Sequence, residues 1–458
     1  MATFMTALVS EIHSHARSDP EYFLPSHTQV EADLAAVPTL PLRKLGQFSC
    51  SAFYPAATHL YTAEGIPFLR CVDIVNYPLI SPDQPFARIP SDFVDAHSTI
   101  RNLKAGDIVI SKVGSPCYAA LLAEDMPLSA MTRTVLGMSN IDERIVDPYY
   151  LIAFLRSRHG FDQLMREREL TIQYQLTLER TRKIKVFLPE RPIQEVVGDL
   201  VRGYYKCLRD SLNAYTSAEQ LLESELGLNK LTLQKPSGYV VRFSTVSWSE
   251  TSSAGRVDAQ CFAPDARFYE NWLQAHARCD RLGSLLRVTT KGRQQADADE
   301  GSTDYCSIKH ISSRELVEAS KCFPQVDAPL ARTNDLLLAI TGATIGKIGI
   351  VKRYERLAFS GDLLCLRTNE SIDPHYLLLA LDHKIGQVQF IRWITGSTNG
   401  HLAPRDVARV LVPRLSSEVE AKISDLVKDS LAKRQESEQL LEKAKTRVEK
   451  LIEEAIQP

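Results

Sequence analysis

The sequence lacks several features that mark common classes of protein. Its nine cysteines form no Cys-x-x-Cys pair, which argues against a zinc module. With no signal peptide at the start of the chain, we expect these thiols to be free in a reducing cytoplasm. No apolar run is long enough to span a membrane. The formal net charge of −2 gives no overall basic surface, so any nucleic-acid-binding surface must be local.

Motifs for catalysis are also missing. The stretch ITGATIGK (340–347) resembles a P-loop, but only three residues separate Gly342 from Gly346, and Ile348 follows Lys347 where a metal-binding Ser or Thr is needed. The Asp-Pro-Tyr-Tyr at 147–150 lacks the second proline of an adenine-methylation motif. No cluster of metal ligands is visible. We therefore expect no catalytic residue, no metal and no cofactor bound by this chain.

What the sequence does contain is a long internal repeat. At 458 residues the chain suits two or three domains. The first half recurs in the second in the same order, with Asp107 and Gly114 matching Asp335 and Gly342. The matching stretches are 4–25 with 243–264, 42–48 with 279–286, 106–116 with 334–344, 147–160 with 373–386, and 182–189 with 406–413. The last pair is predicted to form alternating strands that end at proline.

Each half ends in a predicted long helix. GDLV and EQLLE of the first half recur as SDLV and EQLLE, and the distance between the two motifs differs by one heptad, or roughly 10 Å of helix. A change of that size keeps the apolar face in place. Residues expected to pack along the helices are Leu200, Tyr204, Leu208, Leu222, Val427, Leu441 and Val448.

The predicted fold class is therefore α+β, with two tandem modules and two long antiparallel coiled-coil helices related by a pseudo-two-fold repeat. The expected divisions are 1–40 (leading into the first module), 41–190 (module), 191–229 (central helix), 230–279 (linker and lead-in to the second module), 280–415 (module) and 416–458 (C-terminal helix). The helices would place the modules at opposite ends of a rod.

This layout resembles the DNA-specificity subunit of type I restriction-modification enzymes. GIPFLRCVDI (65–74), AGDIVISKVGS (105–115), DPHYLLLAL (373–381) and TGSTNGHLAPRDVARVLVP (395–413) are similar to segments of that family, and the resemblance covers nearly the whole chain. The first copy departs from the pattern in its loop, TIQYQLTLERTRKIKVFLP (171–189), which lacks the Gly-Ser-Thr and the histidine.

The resemblance implies a cytoplasmic, non-catalytic subunit. Each module would be a target-recognition domain that reads half of a bipartite, asymmetric site in double-stranded DNA. The helices would set the spacing and bind two methyltransferase subunits, which hold S-adenosylmethionine, and motor-nuclease subunits are optional further partners. The alternatives are a specificity-like adaptor of another phage-defence system, a coiled-coil scaffold that binds protein, and an enzyme with a nucleotide site at the glycine turn.

Candidate DNA-binding residues lie near the glycine turns and in the polar loops. Glutamine is a natural partner of adenine, and lysine or arginine of phosphate. For each residue a solvated or structural role is the alternative. The candidates are Lys112, Ser115, Gln173, Tyr174, Gln175, Arg180, Arg182 and Lys183 in the first half, and Lys291, Arg293, Gln294, Lys347, Ser397, Thr398, Asn399, His401 and Arg405 in the second.

Other polar residues in the repeat are expected to be structural. The aspartates Asp107 and Asp335 suit turns better than catalysis. The pairs Arg17/Asp19 and Arg256/Asp258 would tether the segment that leads into each module. Histidines 310 and 375 are expected to stabilise the fold.

Overall fold

The computed structural model describes Arg17 and residues 19–52, 57–75, 77–114, 117–170, 174–231, 240, 259–312, 314–316, 319–396 and 399–457. The chain divides into two compact units. Unit 1 comprises Met1–Arg209 with Arg434–Pro458, and unit 2 comprises Asp210–Lys433. In the described ranges no helix is both long enough and apolar enough to cross a lipid bilayer.

Unit 1 contains two main sheets and a set of covering helices. Its helices are α1 Pro25–Ala35, α2 Cys71–Val75, α3 Ser91–Ala96, α4 Pro148–Arg156, α5 Arg158–Arg166, α6 Leu178–Thr181 and the first part of α7 Arg191–Glu225. Its strands are β1 Thr39–Pro41, β2 Gln47–Cys50, β3 Ile66–Leu69, β4 Leu79–Ile80, β5 Arg88–Ile89, β6 Asn102–Leu103, β7 Ile108–Ser111, β8 Ala119–Leu122, β9 Ser129–Met131, β10 Val135–Ser139, β11 Glu169–Leu170, β12 Tyr174–Gln175 and β13 Lys185–Phe187.

The strands of unit 1 form a five-stranded sheet in the order β2-β10-β7-β8-β4 and a four-stranded sheet in the order β5-β3-β9-β6. Two ribbons, β1–β13 and β11–β12, complete the unit. Every residue of β7 and β8 is buried. These central strands are covered on both faces, which explains why their sequences are continuous apolar runs rather than alternating ones.

Unit 2 repeats this plan. Its helices, besides the second part of α7, are α8 Pro264–His276, α9 Pro374–Asp382, α10 Lys384–Trp393, α11 Pro404–Val407 and the first part of α12 Ser417–Ile456. Its strands are β14 Arg278–Arg281, β15 Leu286–Lys291, β16 Thr303–Cys306, β17 Ile311–Ser312, β18 Glu315–Leu316, β19 Ser320–Cys322, β20 Leu330–Ala331, β21 Leu336–Ala339, β22 Ile348–Ile350, β23 Leu357–Phe359, β24 Leu363–Thr368 and β25 Leu411–Arg414. They form sheets in the orders β15-β24-β21-β22-β18-β17 and β19-β16-β23-β20, with a ribbon β14–β25.

The internal repeat is visible in individual hydrogen bonds. The buried hydroxyl of Tyr150 donates to the carbonyl of Phe187 at 2.7 Å, and that of Tyr376 donates to the carbonyl of Pro413 at the same distance. Both bonds tie the first helix after the sheet to the closing strand of the unit. Three further contacts recur in both units. The side-chain amide of Gln163 donates to the carbonyl of Lys185, as that of Gln389 does to Leu411. The ion pairs Arg166–Glu31 and Asp147–Arg202 of unit 1 correspond to Arg392–Glu270 and Asp373–Lys428 of unit 2.

The two long helices carry a heptad seam. Helix α7 has 35 residues and α12 has 40, which correspond to about 52 and about 60 Å. Their buried positions recur at alternating intervals of three and four residues, as in coiled coils. In α7 they include Val197, Val201, Tyr204, Leu208, Ser211, Tyr215, Ala218 and Leu222; in α12 they include Ile423, Val427, Ser430, Ser437, Ala444, Val448 and Leu451.

Two of the seam residues predicted from sequence are less buried than expected. Leu200 and Leu441 are only partly buried, whereas the other five lie in the interior. Leu200 stands beside Val201, which takes the seam position instead. Sequence reading selected large apolar residues and passed over Ser211 and the other serines that the seam also buries.

Each unit contains a contact between the two long helices. In unit 1, Leu440 packs over Gly203, where a Cβ atom would lie 3.2 Å from the leucine methyl carbon. In unit 2, the hydroxyls of Ser211 and Ser430 lie 3.2 Å apart. Each unit thus combines one end of α7 with the opposite end of α12, the division that an antiparallel helix pair gives. Each long helix is therefore shared between the two units.

The predicted strands at 182–189 and 406–413 are shorter than expected. The observed strands are β13 at Lys185–Phe187 and β25 at Leu411–Arg414. A short helix precedes each of them: Thr177 caps α6 by accepting from the backbone N–H of Arg180, and Pro404 begins α11. These helix-start signals override the apolar alternation in the sequence.

Candidate nucleic-acid interface

The glycine turn of unit 2 lies against the polar loop that follows α10. Residues Thr341 and His401 form an antiparallel bridge, and the N–H of Leu402 donates to the carbonyl of Ile340 at 2.9 Å. Gly342 adopts φ +75°, which side chains rarely tolerate, and its N–H donates to the carbonyl of Gly400 at 3.0 Å. The stretch ITGATIGK therefore forms a turn packed against this loop.

Unit 1 has the same arrangement with different side chains. The bridge joins Val113 to Gln175, and the N–H of Leu176 donates to the carbonyl of Lys112 at 2.9 Å. Gly114 follows with φ +92°. We call these two sites the unit 1 junction (Lys112–Gly114, Thr132, Thr134 and Gln175) and the unit 2 junction (Thr341, Gly342, Gln294, Ser360, Asp362, Asn399 and His401).

The loops at the two junctions begin and end at equivalent paired residues. In unit 1 the loop starts and ends at the paired residues Glu169 and Gln175, and in unit 2 at the bridged residues Thr395 and His401. The first copy thus keeps the span of the second although it lacks the Gly-Ser-Thr sequence. Four of the predicted DNA-binding residues lie outside the described residues: Ser115, Gln173, Ser397 and Thr398.

A chain of polar contacts crosses the unit 2 junction. The hydroxyl of Thr341 donates to Oδ1 of Asp362 at 2.6 Å, and Oγ of Ser360 lies 3.2 Å from Oδ2 of the same carboxylate. Oγ of Ser360 also lies 2.9 Å from the side-chain amide of Gln294. The glycine turn, the turn before β24 and the loop after β15 are thereby joined through side chains.

The equivalent positions of unit 1 are occupied by threonines. The N–H of Ile340 donates to the carbonyl of Asp362 at 2.9 Å, and that of Lys112 donates to the carbonyl of Thr134 at 2.8 Å. Thr134 therefore takes the place of Asp362, and its hydroxyl lies 2.7 Å from that of Thr132. One backbone framework thus presents a carboxylate in unit 2 and a neutral hydroxyl in unit 1.

Sequence reasoning missed these two pairs, Ser360 with Asp362 and Thr132 with Thr134. The signal that locates them is their register. Each pair immediately precedes a buried strand, β24 or β10, that is paired with the strand leading to the glycine turn. Short polar residues at that point of the repeat lie beside the turn once the strands pair.

The loop after β15 brings two predicted cations to the unit 2 junction. Gly292 packs so tightly on the carbonyls of Phe359 and Ser360 that a Cβ atom would lie 2.3 Å from each oxygen. Its neighbours Lys291 and Arg293 are exposed, and neither forms an ion pair with any residue that the structure describes. Within the described residues their charges are therefore not neutralised by an acid, and phosphate binding by them stays a prediction.

Three basic residues from 180 to 183 differ in their availability. Arg180 forms ion pairs with Glu167 and Glu169 at 3.0 and 2.7 Å, so its charge is already neutralised inside unit 1. Lys183 lies 2.8 Å from Glu179, and Arg182 is exposed. Of these three candidates, Arg180 and Lys183 therefore have acidic partners within the unit, and the helical turn of α6 includes Arg180.

The remaining predicted lysines and Arg405 have distinct surroundings. The amine of Lys112 lies 3.8 Å from the sulfur of Cys50 at the unit 1 junction. The amine of Lys347 lies 3.5 Å from the carbonyl of Ile308 and lines a cavity of about 640 Å³. Arg405 is 68% exposed, with its side chain 4.0 Å from Asp406. The cavity beside Lys347 is lined by the acids Glu219, Glu223 and Asp382 and by the cations Arg314 and Lys384.

The aromatic candidate is anchored to its own unit. The hydroxyl of Tyr174 donates to Glu21 at 2.7 Å, and the guanidinium of Arg168 stacks 3.8 Å from its ring centroid. Gln175 is half-buried beside it, whereas Asn399 and His401 of unit 2 are exposed. Among the described loop residues, exposed side chains are therefore more numerous at the unit 2 junction than at the unit 1 junction.

The residues expected to be structural have internal partners. Arg17 binds Asp19 at 2.5 Å and donates to the carbonyl of Arg168 at 2.9 Å, which tethers the lead-in segment to unit 1. The ring of His310 accepts from the backbone N–H of Ser307, the residue that caps a short helical turn, and the ring of His375 lies 3.0 Å from Asp373, the carboxylate that caps α9. Arg256 and Asp258 lie outside the described residues. Within those residues, no group of His, Cys, Asp and Glu side chains is arranged to hold a metal ion.

Solved structures with a similar chain path include restriction-modification proteins. The S subunit of a type I restriction-modification system from M. genitalium aligns at a TM-score of 0.42 and 12% identity, covering 92% of this chain and 96% of that one. The HsdS subunit from Thermoanaerobacter tengcongensis aligns at 0.29 and 16%, covering 90% and 95%. The type IIG restriction endonuclease BpuSI aligns at 0.29 and 12%, covering 48% and 37%. No family model and no curated protein matches the chain.

Proposed function

We propose that this protein is a non-catalytic DNA sequence-recognition subunit of a type I restriction-modification complex. The sequence resemblance in several ordered segments suggests it, and the chain's own duplicated junctions support it. Each half would read one part of a bipartite, asymmetric site in double-stranded DNA.

The observation that carries the proposal is the pair of junctions built on one framework. Bridges Val113–Gln175 and Thr341–His401 hold a glycine turn against a polar loop in both units. Asp362 of unit 2 corresponds to Thr134 of unit 1, so the two frameworks present different hydrogen-bonding groups. A duplicated fold with divergent polar side chains at one site is what reading two different half-sites requires, because bases are distinguished by donor and acceptor patterns.

The surroundings of the unit 2 junction separate two kinds of DNA contact. Lys291 and Arg293 supply cations that have no ion pair among the described residues, and such cations suit the phosphate backbone. Beside them, Gln294, Asn399 and Asp362 supply amides and a carboxylate, which suit base edges. A protein-binding scaffold has no need of this combination of groups at one turn.

The long helices would act as the ruler and as the docking surface for partners. The length of α7, about 52 Å, exceeds one turn of DNA, about 34–36 Å. Two methyltransferase subunits would bind there and carry S-adenosylmethionine, and motor-nuclease subunits would complete a restriction complex. An adaptor of another phage-defence system would use the same DNA-reading modules with different partners.

The test is selection from a pool of duplex DNA with a randomised central region, using the full chain at two salt concentrations. The proposal predicts enrichment of two unlike short motifs separated by a fixed number of unspecified base pairs, with affinity that falls steeply as salt rises. Enrichment of no motif, or binding that does not respond to salt, would contradict it and favour a protein-binding scaffold.

A further inference from the structure

A single carboxylate occupies the centre of the unit 2 junction. Thr341 donates to Oδ1 of Asp362 at 2.6 Å, Ser360 lies 3.2 Å from Oδ2, and the backbone N–H of Ile340 donates to its carbonyl at 2.9 Å. Both side-chain partners are neutral hydroxyls. No basic side chain in the described part of the chain lies within ion-pair distance of this carboxylate.

The hydroxyl of Ser360 fixes how the network is oriented. It has one proton and lies close to two acceptors, Oε1 of Gln294 at 2.9 Å and Oδ2 of Asp362 at 3.2 Å. Exchanging the oxygen and nitrogen of the Gln294 amide resolves the conflict, because its N–H then donates to Ser360 and Ser360 donates to Asp362. Asp362 is in this way oriented by donors on both sides.

The carboxylate keeps acceptor capacity that nothing described uses. An ionised carboxylate has about four lone-pair sites, and the two hydroxyls occupy one on each oxygen. Asp362 is only half-buried, so solvent or a ligand reaches the remaining sites. A phosphate would be repelled there. A ligand must instead offer a hydrogen-bond donor without negative charge.

We infer that Asp362 is a specificity-determining residue that accepts a hydrogen bond from the exocyclic amino group of a base, with cytosine as the preferred base. Asp accepting from cytosine N4 in the major groove is one of the standard pairings of side chain and base. This inference rests on the proposed function and deepens it, because it assigns a base-reading role to one residue in one half of the site.

Unit 1 provides a comparison within the same chain. Its equivalent residue, Thr134, carries a hydroxyl that both donates and accepts and that already contacts Thr132 at 2.7 Å. Because a hydroxyl can also donate, it can bind a base that offers only an acceptor. The requirement for an amino group therefore belongs to the half-site read by unit 2 and not to the one read by unit 1.

The test compares the full-length wild type with Asp362→Asn and Asp299→Asn in selection from the randomised duplex pool. Asn keeps the shape of Asp and still serves both hydroxyls, since its oxygen accepts from Thr341 and its N–H donates to Ser360. Asp299→Asn removes the same charge from an exposed residue outside the network. Thermal unfolding of each variant establishes that it is folded.

With Asp362→Asn we expect the preference for cytosine at one position of one half-site to fall about tenfold, equivalent to about 1.4 kcal/mol. The other half-site and the spacing should be unchanged, and Asp299→Asn should select the wild-type motif. A folded Asp362→Asn protein that selects the wild-type motif overturns the inference alone. A wild type that enriches no motif overturns the proposed function as well.

Discussion

Asp335 and Arg367 form a bidentate ion pair in the interior of unit 2, with both guanidinium nitrogens 2.7 Å from the carboxylate oxygens. The carboxylate is 1% exposed and also accepts from the backbone N–H of Arg332. The matching carboxylate of unit 1, Asp107, accepts from the N–H of Lys104 but has no ion pair within the described chain. The same turn is thus stabilised by a charge pair in one copy and by neutral donors in the other.

Removing the cation from this pair should strongly destabilise unit 2. Arg367→Met leaves a buried carboxylate without its counter-ion, and we expect a loss of about 3–5 kcal/mol in the free energy of unfolding. Chemical denaturation followed by circular dichroism measures it. The control is Arg144→Met, which breaks an exposed pair with Asp142 and should leave stability nearly unchanged. Equal effects of the two changes would contradict this account.

Because Asp107 has no ion pair within the described chain, we expect its titration to affect the stability of unit 1. Burial raises the pKa of Asp107, against the opposing hydrogen bonds from Lys104 and Ser139. Because its pKa is higher in the folded state, the stabilising contribution of Asp107 is complete below the unfolded pKa, about 3.9, and is lost as pH rises through the folded pKa. Asp107→Asn lacks this dependence.

We therefore expect Asp107→Asn to gain stability relative to the wild type as pH rises from about 4 to about 7. Urea unfolding of both proteins across that range measures the difference. A difference that stays constant, or that changes in the opposite direction, would show that burial of Asp107 does not govern its titration.

The buried serine pair in the helix seam should respond differently to single and double changes. Ser211→Ala or Ser430→Ala removes one member of the 3.2 Å contact and leaves the other hydroxyl buried without its partner. Each single change should cost about 1 kcal/mol, and the double change should cost less than the sum. A double-mutant cycle by urea unfolding tests this; strict additivity would mean that the two hydroxyls do not interact.

Lys291 and Arg293, which form no ion pair with a described residue, should govern affinity rather than sequence preference. Replacing Lys291 and Arg293 with alanine should weaken DNA binding uniformly across sequences and lower the salt slope by about one for each phosphate that is no longer neutralised. Fluorescence anisotropy at several salt concentrations measures both quantities. The comparison is Arg180→Ala. Because Arg180 is already paired with Glu167 and Glu169, its removal should leave the salt slope unchanged.

The length of the helices should set the spacing between half-sites. Removing one heptad from α7 together with the opposing heptad of α12 keeps the seam and shortens the pair by about 10 Å, or roughly three base pairs. The motifs should stay the same while the number of unspecified base pairs falls. A two-residue deletion rotates the rest of the helix by about 200° and serves as the control, since it should unfold the seam. Unchanged spacing after the heptad deletion would refute the ruler.

The sequence predicted the elements that rest on periodicity and repetition. Buried strands such as β7 and β21, the long helices and the repeated aspartate turns all leave a pattern along the chain, so their positions could be inferred. Leu200 and Leu441 were assigned to the seam because large apolar residues were favoured, while the structure buries Ser211 and Ser430 there.

The candidate site was predicted less completely, because it depends on residues that are distant in sequence. Asp362 reaches Thr341 only after β21 and β24 pair, and no local sequence pattern places it in the candidate site. Arg180 showed the opposite problem: its charge suggested a phosphate contact, but folding brings Glu167 and Glu169 against it. Whether a cation can bind phosphate depends on which acids the fold places beside it, and the sequence alone does not give that arrangement.

The most direct measurement of the central claim is native purification of the full-length protein with its partners, followed by mass spectrometry of their identity and stoichiometry. We predict two methyltransferase subunits for each copy of this chain, in a complex that methylates adenine at a bipartite site. A stable monomer, or partners that contain no methyltransferase motif, would contradict the assignment to a type I restriction-modification complex.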